Sequence, residues 1–287
     1  MNINQTLYAR RQRRNRLFML LSLCATAFGL FFLALILYAL FSKGVANFNW
    51  SIFTDNLSAP CSGNHCDTGG LKNVIVGSLM ITFFALVIGT PIGMLCGIYL
   101  AEFGRHSLFA KTTRFINDLL LSAPSIIIGV FVWGLMVKPQ LPGYSGWAGS
   151  VALSLLVIPV VVRTTENMLN LVPDRLREAA YALGTPKWKL TLNVTLKAAK
   201  TGVLTGIILA FARISGETSP LLFTALNNQF FSTDMSRPMA NLPVMIFNSA
   251  LGAYQNLIDL AWAAAFLITL AVLIANITAR YLSGKHL

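Results

Sequence analysis

Charge is what this chain has least of. Only 11% of its 287 residues are Asp, Glu, Lys or Arg, against 55% apolar, where a soluble domain carries about 25% charged residues. A chain so poor in charge cannot cover itself in water, and an ordinary soluble domain is excluded. Acid is scarcer still: ten Asp and Glu stand against 22 Lys and Arg, a net charge of +12. That excess could meet nucleic acid, but no continuous basic surface or aromatic platform accompanies it. The basic residues fall in short clusters between apolar runs, where they orient a chain in a bilayer and meet anionic headgroups. No Gly-x4-Gly-Lys-Ser/Thr loop is present, so nothing here cradles a nucleotide phosphate, and no catalytic constellation is visible.

What the chain has is apolar length. Six runs, at 17–41, 71–101, 115–137, 147–162, 201–226 and 257–279, approach or exceed the roughly 20 residues that cross a bilayer as a helix. The fold class expected is all-α integral membrane protein with about six transmembrane helices. The first run follows Arg10, Arg11, Arg13, Arg14 and Arg16 in the manner of a signal peptide. At 25 residues, without an obvious small-residue cleavage site, it reads instead as a retained helix. The organisation expected is a basic stretch at 1–16, the first span at 17–41, and an outside loop at 42–70. A five-helix core at 71–282 follows, carrying a loop at about 168–200, and then a tail at 283–287.

Lys and Arg counts set the orientation. Seventeen lie in the N-terminal stretch, 105–114, 163–200 and the tail, while the alternate segments hold four: Lys43, Lys72, Lys138 and Arg237. By the positive-inside rule both termini are cytoplasmic. Three spans carry punctuation that a plain anchor does not need. Gly89, Gly93 and Gly97 recur every four residues, presenting one face to a close neighbour. Pro91, Pro124 and Pro159 are each expected to break their run, which a membrane tolerates where protein or a cavity satisfies the freed backbone.

Cys24 and Cys96 sit in apolar runs as small core residues. Cys61 and Cys66 share the outside loop, where an oxidising compartment permits a disulfide between them; two free thiols are the alternative. With His65 they make too few ligands for zinc, and no metal site is expected.

Four charged residues stand out within or beside spans. Arg213 lies roughly 18 Å beyond Thr201 at 1.5 Å per residue, well inside a hydrocarbon core. There it needs a partner or a water-filled cavity, and Glu217, one turn on at i+4, is the partner expected. Arg163 and Glu166, three apart on one helix face, mark the inner end of the fourth span. All four are candidates for a translocation path, with structural ion pairing as the alternative. The loop between the fourth and fifth runs reads as two short helices. The first starts after Pro173 and Asp174, contains Glu178, Ala179 and Ala180, and stops at Gly184 near its C-cap. The second starts near Thr185 and Pro186. Small Ala179 and Ala180 on a compact helical turn suit insertion into a groove on a partner.

At this point the sequence resembles a family. Glu-Ala-Ala, three residues, Gly, nine residues and then Ile-x-Leu-Pro marks the permease subunits of ATP-binding-cassette (ABC) importers. The chain matches at Glu178, Ala179, Ala180, Gly184 and Leu196, has Val194 for the Ile, and departs at Lys197 for the Pro. The segments RFINDLLLSAPS (114–125), RTTENM (163–168), RISGETSPLLFTAL (213–226) and ANLPV (240–244) are similar to PstA-type permeases of bacterial phosphate importers. The resemblance implies a type I ABC importer permease fold whose cytoplasmic coupling helix carries Glu178 to Gly184. It implies a multi-pass subunit of the bacterial inner membrane that moves inorganic phosphate by alternating access. The implied partners are a second, PstC-type permease, two PstB-type ATPases that bind ATP and Mg, a periplasmic PstS-type phosphate-binding protein, and membrane lipid. No cofactor is implied for the chain itself. The alternatives are another oxyanion or phosphonate as substrate, or a stand-alone secondary transporter or channel, for which internal repeats are wanting.

Overall fold

Apolar runs with no β-branched alternation and few mid-run glycines become helices. In the computed structural model, which describes residues 3–61, 69–105 and 107–284, no strand is formed among the described residues. In chain order the α-helices are α1 (Ile3–Ala46), α2 (Ser51–Thr54), α3 (Lys72–Ile98), α4 (Leu108–Ser122), α5 (Ser125–Val132) and α6 (Gly146–Asn170). They continue as α7 (Asp174–Ala182), α8 (Lys187–Leu190), α9 (Leu196–Ile214), α10 (Ser219–Thr224), α11 (Leu242–Ala250) and α12 (Gln255–Gly284). Three π-helical turns, Tyr99–Phe103, Trp133–Val137 and Thr191–Thr195, prolong α3 and α5 and join α8 to α9. Five helices are long and apolar enough to cross a membrane, or six if the bent pair α4 and α5 counts as one span.

The hub is α6, two-thirds of whose most apolar stretch is buried, whereas that of α1 is 0% buried. Gly89, Gly93 and Gly97 lie on one face of α3 as their spacing requires, and that face meets α6. A β-carbon on each would stand 3.0 Å from Val157 Cβ, 2.8 Å from Val161 Cβ and 2.7 Å from Thr165 Cβ in turn. Removing three side chains lets two backbones approach where oily lipid offers no hydrophobic gain for association. Around that contact Ile81, Ala85, Leu153, Val157, Val161, Ala210, Ile214 and Leu221 form the main core of α3, α6, α9 and α10. By contrast, α1 meets the bundle only near its C-terminal end. There Gly44 lies on Phe266 of α12, the Phe41 ring packs on the same residue, and Lys43 sits 5.0 Å over the Trp262 ring.

Of the three prolines expected to break their runs, one does. Pro91 and Pro159 stay inside α3 and α6, because each helix is held along its length by the glycine-ridge contact. At Pro124 the preceding Ala123 is extended (φ −66°, ψ 133°), as is Pro124 itself (φ −58°, ψ 132°). The chain turns 102° there. The expected span at 115–137, with its expected break at Pro124, is a bent pair of half-helices. The run at 201–226 is also divided: α9 ends at Ile214 and the chain restarts as α10. Helix α6 is longer than its apolar run at 147–162, reaching Asn170 through Arg163 and Glu166, and both charges find partners on α4.

Candidate functional site

Two charged regions lie on this frame. The first is the interrupted α9–α10 junction. Arg213 sits in the last turn of α9 with its side chain exposed. The helix stops one residue later: Ser215 Oγ donates to Phe211 O at 2.7 Å, Gly216 follows, and Glu217 N donates to Ile214 O at 3.2 Å. Because the helix has ended, Glu217 is not one turn along the same face, and no ion pair joins it to Arg213. The expected i+4 pair is absent, and neither side chain has an ionic partner among the described residues. Exposed charge at the end of a long apolar helix needs water or another protein surface beside it.

The second region is the opposite end of α9, where α4, α6 and α7 converge. Arg163 and Glu166 do not pair with each other. Arg163 Nη1 donates to Asp118 at 2.9 Å, and Glu166 accepts from Arg114 Nε at 2.6 Å. Residues 114 and 118 are one turn apart on α4, as 163 and 166 nearly are on α6, so the two helices carry crossed charges that fix their register. The inner rung is the drier one. Glu166 is 10% exposed and Arg114 29%, against about half for Arg163 and Asp118. Arg114 also donates from Nη2 to Leu100 O at 3.0 Å, reaching the π-turn after α3.

Beside this ladder α7 begins at Asp174, with Pro173 as its N-cap, and ends as its glycine demands. Gly184 has φ +72°; its N–H bonds Tyr181 O at 2.9 Å, while Thr185 N bonds Ala180 O at 3.2 Å. This is the Schellman pattern, in which a left-handed residue satisfies the last carbonyls of a helix. Nothing lies within 4 Å of where a Gly184 side chain would begin. Glu178 and Ala179 are exposed but Ala180 is turned into the bundle, so only one of the two alanines is offered outward. Tyr181 (47% exposed) and Leu183 (85%) join that outer face.

Two residues here escaped the sequence reading, Glu102 and Arg177, whose side chains are 5% and 9% exposed. Glu102 stands immediately after the second apolar run, a local signal, whereas nothing local marks Arg177 among the Lys and Arg of 163–200. Arg114 and Asp118 lie in the RFINDLLLSAPS segment, and only the packing of α4 on α6 marks them. Cys24, expected in the core, is instead exposed on α1, and Cys96 is half-buried; Cys61 is disulfide-bonded, and Cys66 and His65 fall outside the described residues. Among the described residues no group of three or more His, Cys, Asp or Glu could hold a metal ion.

A glycine-packed bundle of long apolar helices with two interrupted spans and an outward-facing helical loop has the architecture of a multi-pass membrane protein. Residues 89–285 match the family model described as the binding-protein-dependent transport system inner membrane component, and the chain belongs to that family. Among curated relatives, the phosphate transport system permease protein PstA of Yersinia pestis is 54% identical, covering 96% of this chain and 92% of its own. That of Haemophilus influenzae is 52% identical over 98% of each. Among solved structures, a bacterial ABC transporter that imports the acidic polysaccharide alginate superposes with TM-score 0.61 at 15% identity, covering 98% of this chain and 99% of its own. The inward-facing MetNI methionine ABC transporter gives 0.59 at 18%, covering 74% and 91%. The fold is that of type I ABC importer permeases.

Proposed function

We propose that this chain is the membrane-spanning subunit of an ATP-driven importer that carries inorganic phosphate across the bacterial inner membrane by alternating access. Phosphate as substrate is supported by relatives above half identity along nearly the whole chain, named as phosphate permeases. The geometric observation behind a translocation role is Arg213, exposed on the last turn of α9 and without an ionic partner among the described residues. A planar guanidinium there can hold two phosphate oxygens at once. With Glu217 off its helix face, that grip is not weakened by a fixed carboxylate. The Arg163–Asp118 and Arg114–Glu166 rungs sit at the other end of the path, where a register shift between α4 and α6 would open or close it.

Both termini and the α7 loop face the cytoplasm in this reading, following the Lys and Arg asymmetry. The outer face of α7, with Glu178, Ala179 and the Gly184 turn, docks a separate PstB-type ATPase, two copies of which bind ATP and Mg. A PstC-type permease completes the path, and a PstS-type protein delivers phosphate from the periplasm. The test is uptake of radiolabelled phosphate by cells lacking only this chain, with and without a plasmid copy. Loss and restoration of high-affinity uptake is the expected result. Unchanged uptake overturns the substrate, and the binding protein that co-purifies with the chain then identifies the oxyanion or phosphonate carried instead.

A further inference from the structure

Arg177 uses all five of its N–H groups, and they join three segments of chain. Nε and Nη2 grip Glu102 Oε1 at 3.2 and 2.9 Å, on the π-turn that ends α3. Nη2 also donates to Leu169 O at 2.7 Å, in the last turn of α6, and Nη1 donates to Val172 O, just beyond that helix; Leu169 O accepts from Val172 N as well. The second Nη1 bond, at 3.0 Å, is to Asp174 in the first turn of α7. Asp174 in turn lies 3.6 Å from Arg105, whose Nε holds Ala101 O at 2.9 Å.

Stability alone does not call for such a residue, since apolar side chains of similar volume often replace a buried ion pair without loss. A rigid five-donor fork supplies fixed geometry instead. Glu178 and Ala179 stand exposed on the side of α7 away from Arg177, and Tyr181 and the C-cap residue Leu183 are exposed beside them. A load applied there reaches the ends of α3 and α6 through Arg177, which with the small Ala180 is one of the two buried side chains of α7.

We infer that Arg177 is a positioning residue that clamps α7 to the ends of α3 and α6, so that movement imposed on the outer face of α7 becomes movement of two spans. This rests on the ATP-driven importer reading. A broken clamp leaves the ATPase docked and cycling while the spans lag.

The experiment is phosphate transported per ATP hydrolysed by the complete complex in proteoliposomes, with radiolabelled phosphate and binding protein present. Arg177→Gln, Glu102→Gln and the double variant are each expected to keep the assembled complex and its ATPase activity. Each should lower the ratio at least tenfold (about 1.4 kcal/mol per tenfold), the double no worse than either single. Arg177→Lys and Glu102→Asp keep both charges but not the five-bond geometry, and an intermediate ratio is expected. A wild-type ratio in the Gln variants overturns the inference. If those do not assemble, Arg177→Lys and Glu102→Asp decide: wild-type ratios in both, or failure of both to assemble, overturn it as well. A wild-type complex without ATP-dependent uptake would instead remove the importer reading, and the inference with it.

Discussion

Gly129 of α5 lies flat against Pro220 of α10: a β-carbon on Gly129 would stand 2.6 Å from Pro220 Cα. The two half-helices that follow the interruptions in their spans therefore cross backbone to backbone. The obstacle is main chain, so it cannot rotate away. Gly129→Val should force the crossing apart and cost about 1–3 kcal/mol, the usual range for overpacking. Gly134, on the π-turn after α5 with nothing within 4 Å, is the control: Gly134→Ala should leave the melting temperature of the detergent-purified complex within error, whereas Gly129→Val lowers it.

Arg213 separates charge from shape. Arg213→Lys retains the cation but loses the planar fork, so assembly should be intact and phosphate uptake at least about tenfold lower, the loss of roughly 1.4 kcal/mol of recognition. Wild-type uptake by the Lys variant would refute the bidentate role. Glu217→Gln is expected to leave complex assembly unchanged, since no ion pair within the chain joins Glu217 to Arg213.

The two rungs between α4 and α6 should differ in worth. Glu166→Gln leaves the largely buried Arg114 without its carboxylate, and breaking a buried pair typically costs about 3–5 kcal/mol. Asp118→Asn breaks a half-exposed pair, worth about 0.2–1 kcal/mol. Thermal unfolding of the two variants in one detergent should rank them in that order; equal midpoints would mean that solvent reaches Glu166.

At Gly184 space is free but the backbone is not. Its φ of +72° costs a residue with a β-carbon about 1–2 kcal/mol, more for a branched one. Gly184→Ala should be tolerated with reduced uptake. Gly184→Val should reach the membrane at normal level yet fail to co-purify with the ATPase. Normal co-purification and uptake by the Val variant would rule out docking at this turn.

Much of the architecture is legible along the chain, because the cues are local. Spans declare themselves through apolar length, and the α7 boundaries through Pro173 at one end and Gly184 at the other. The α3 face that packs on α6 is visible in the four-residue spacing of Gly89, Gly93 and Gly97, since 3.6 residues per turn puts such residues on one side. Tertiary structure alone decided which proline bends its helix. Pro91 and Pro159 are held straight by the α3–α6 contact, while at Pro124 the backbone turns extended. It alone decided that Arg163 answers Asp118, that Glu166 answers Arg114, and that Arg213 is left without Glu217. Those pairings span 45 and 52 residues of sequence, or fail because a helix ends one turn early. The Arg177–Glu102 clamp spans 75. Side-chain partners at such separations are set by which helices pack together, and no local periodicity carries that choice.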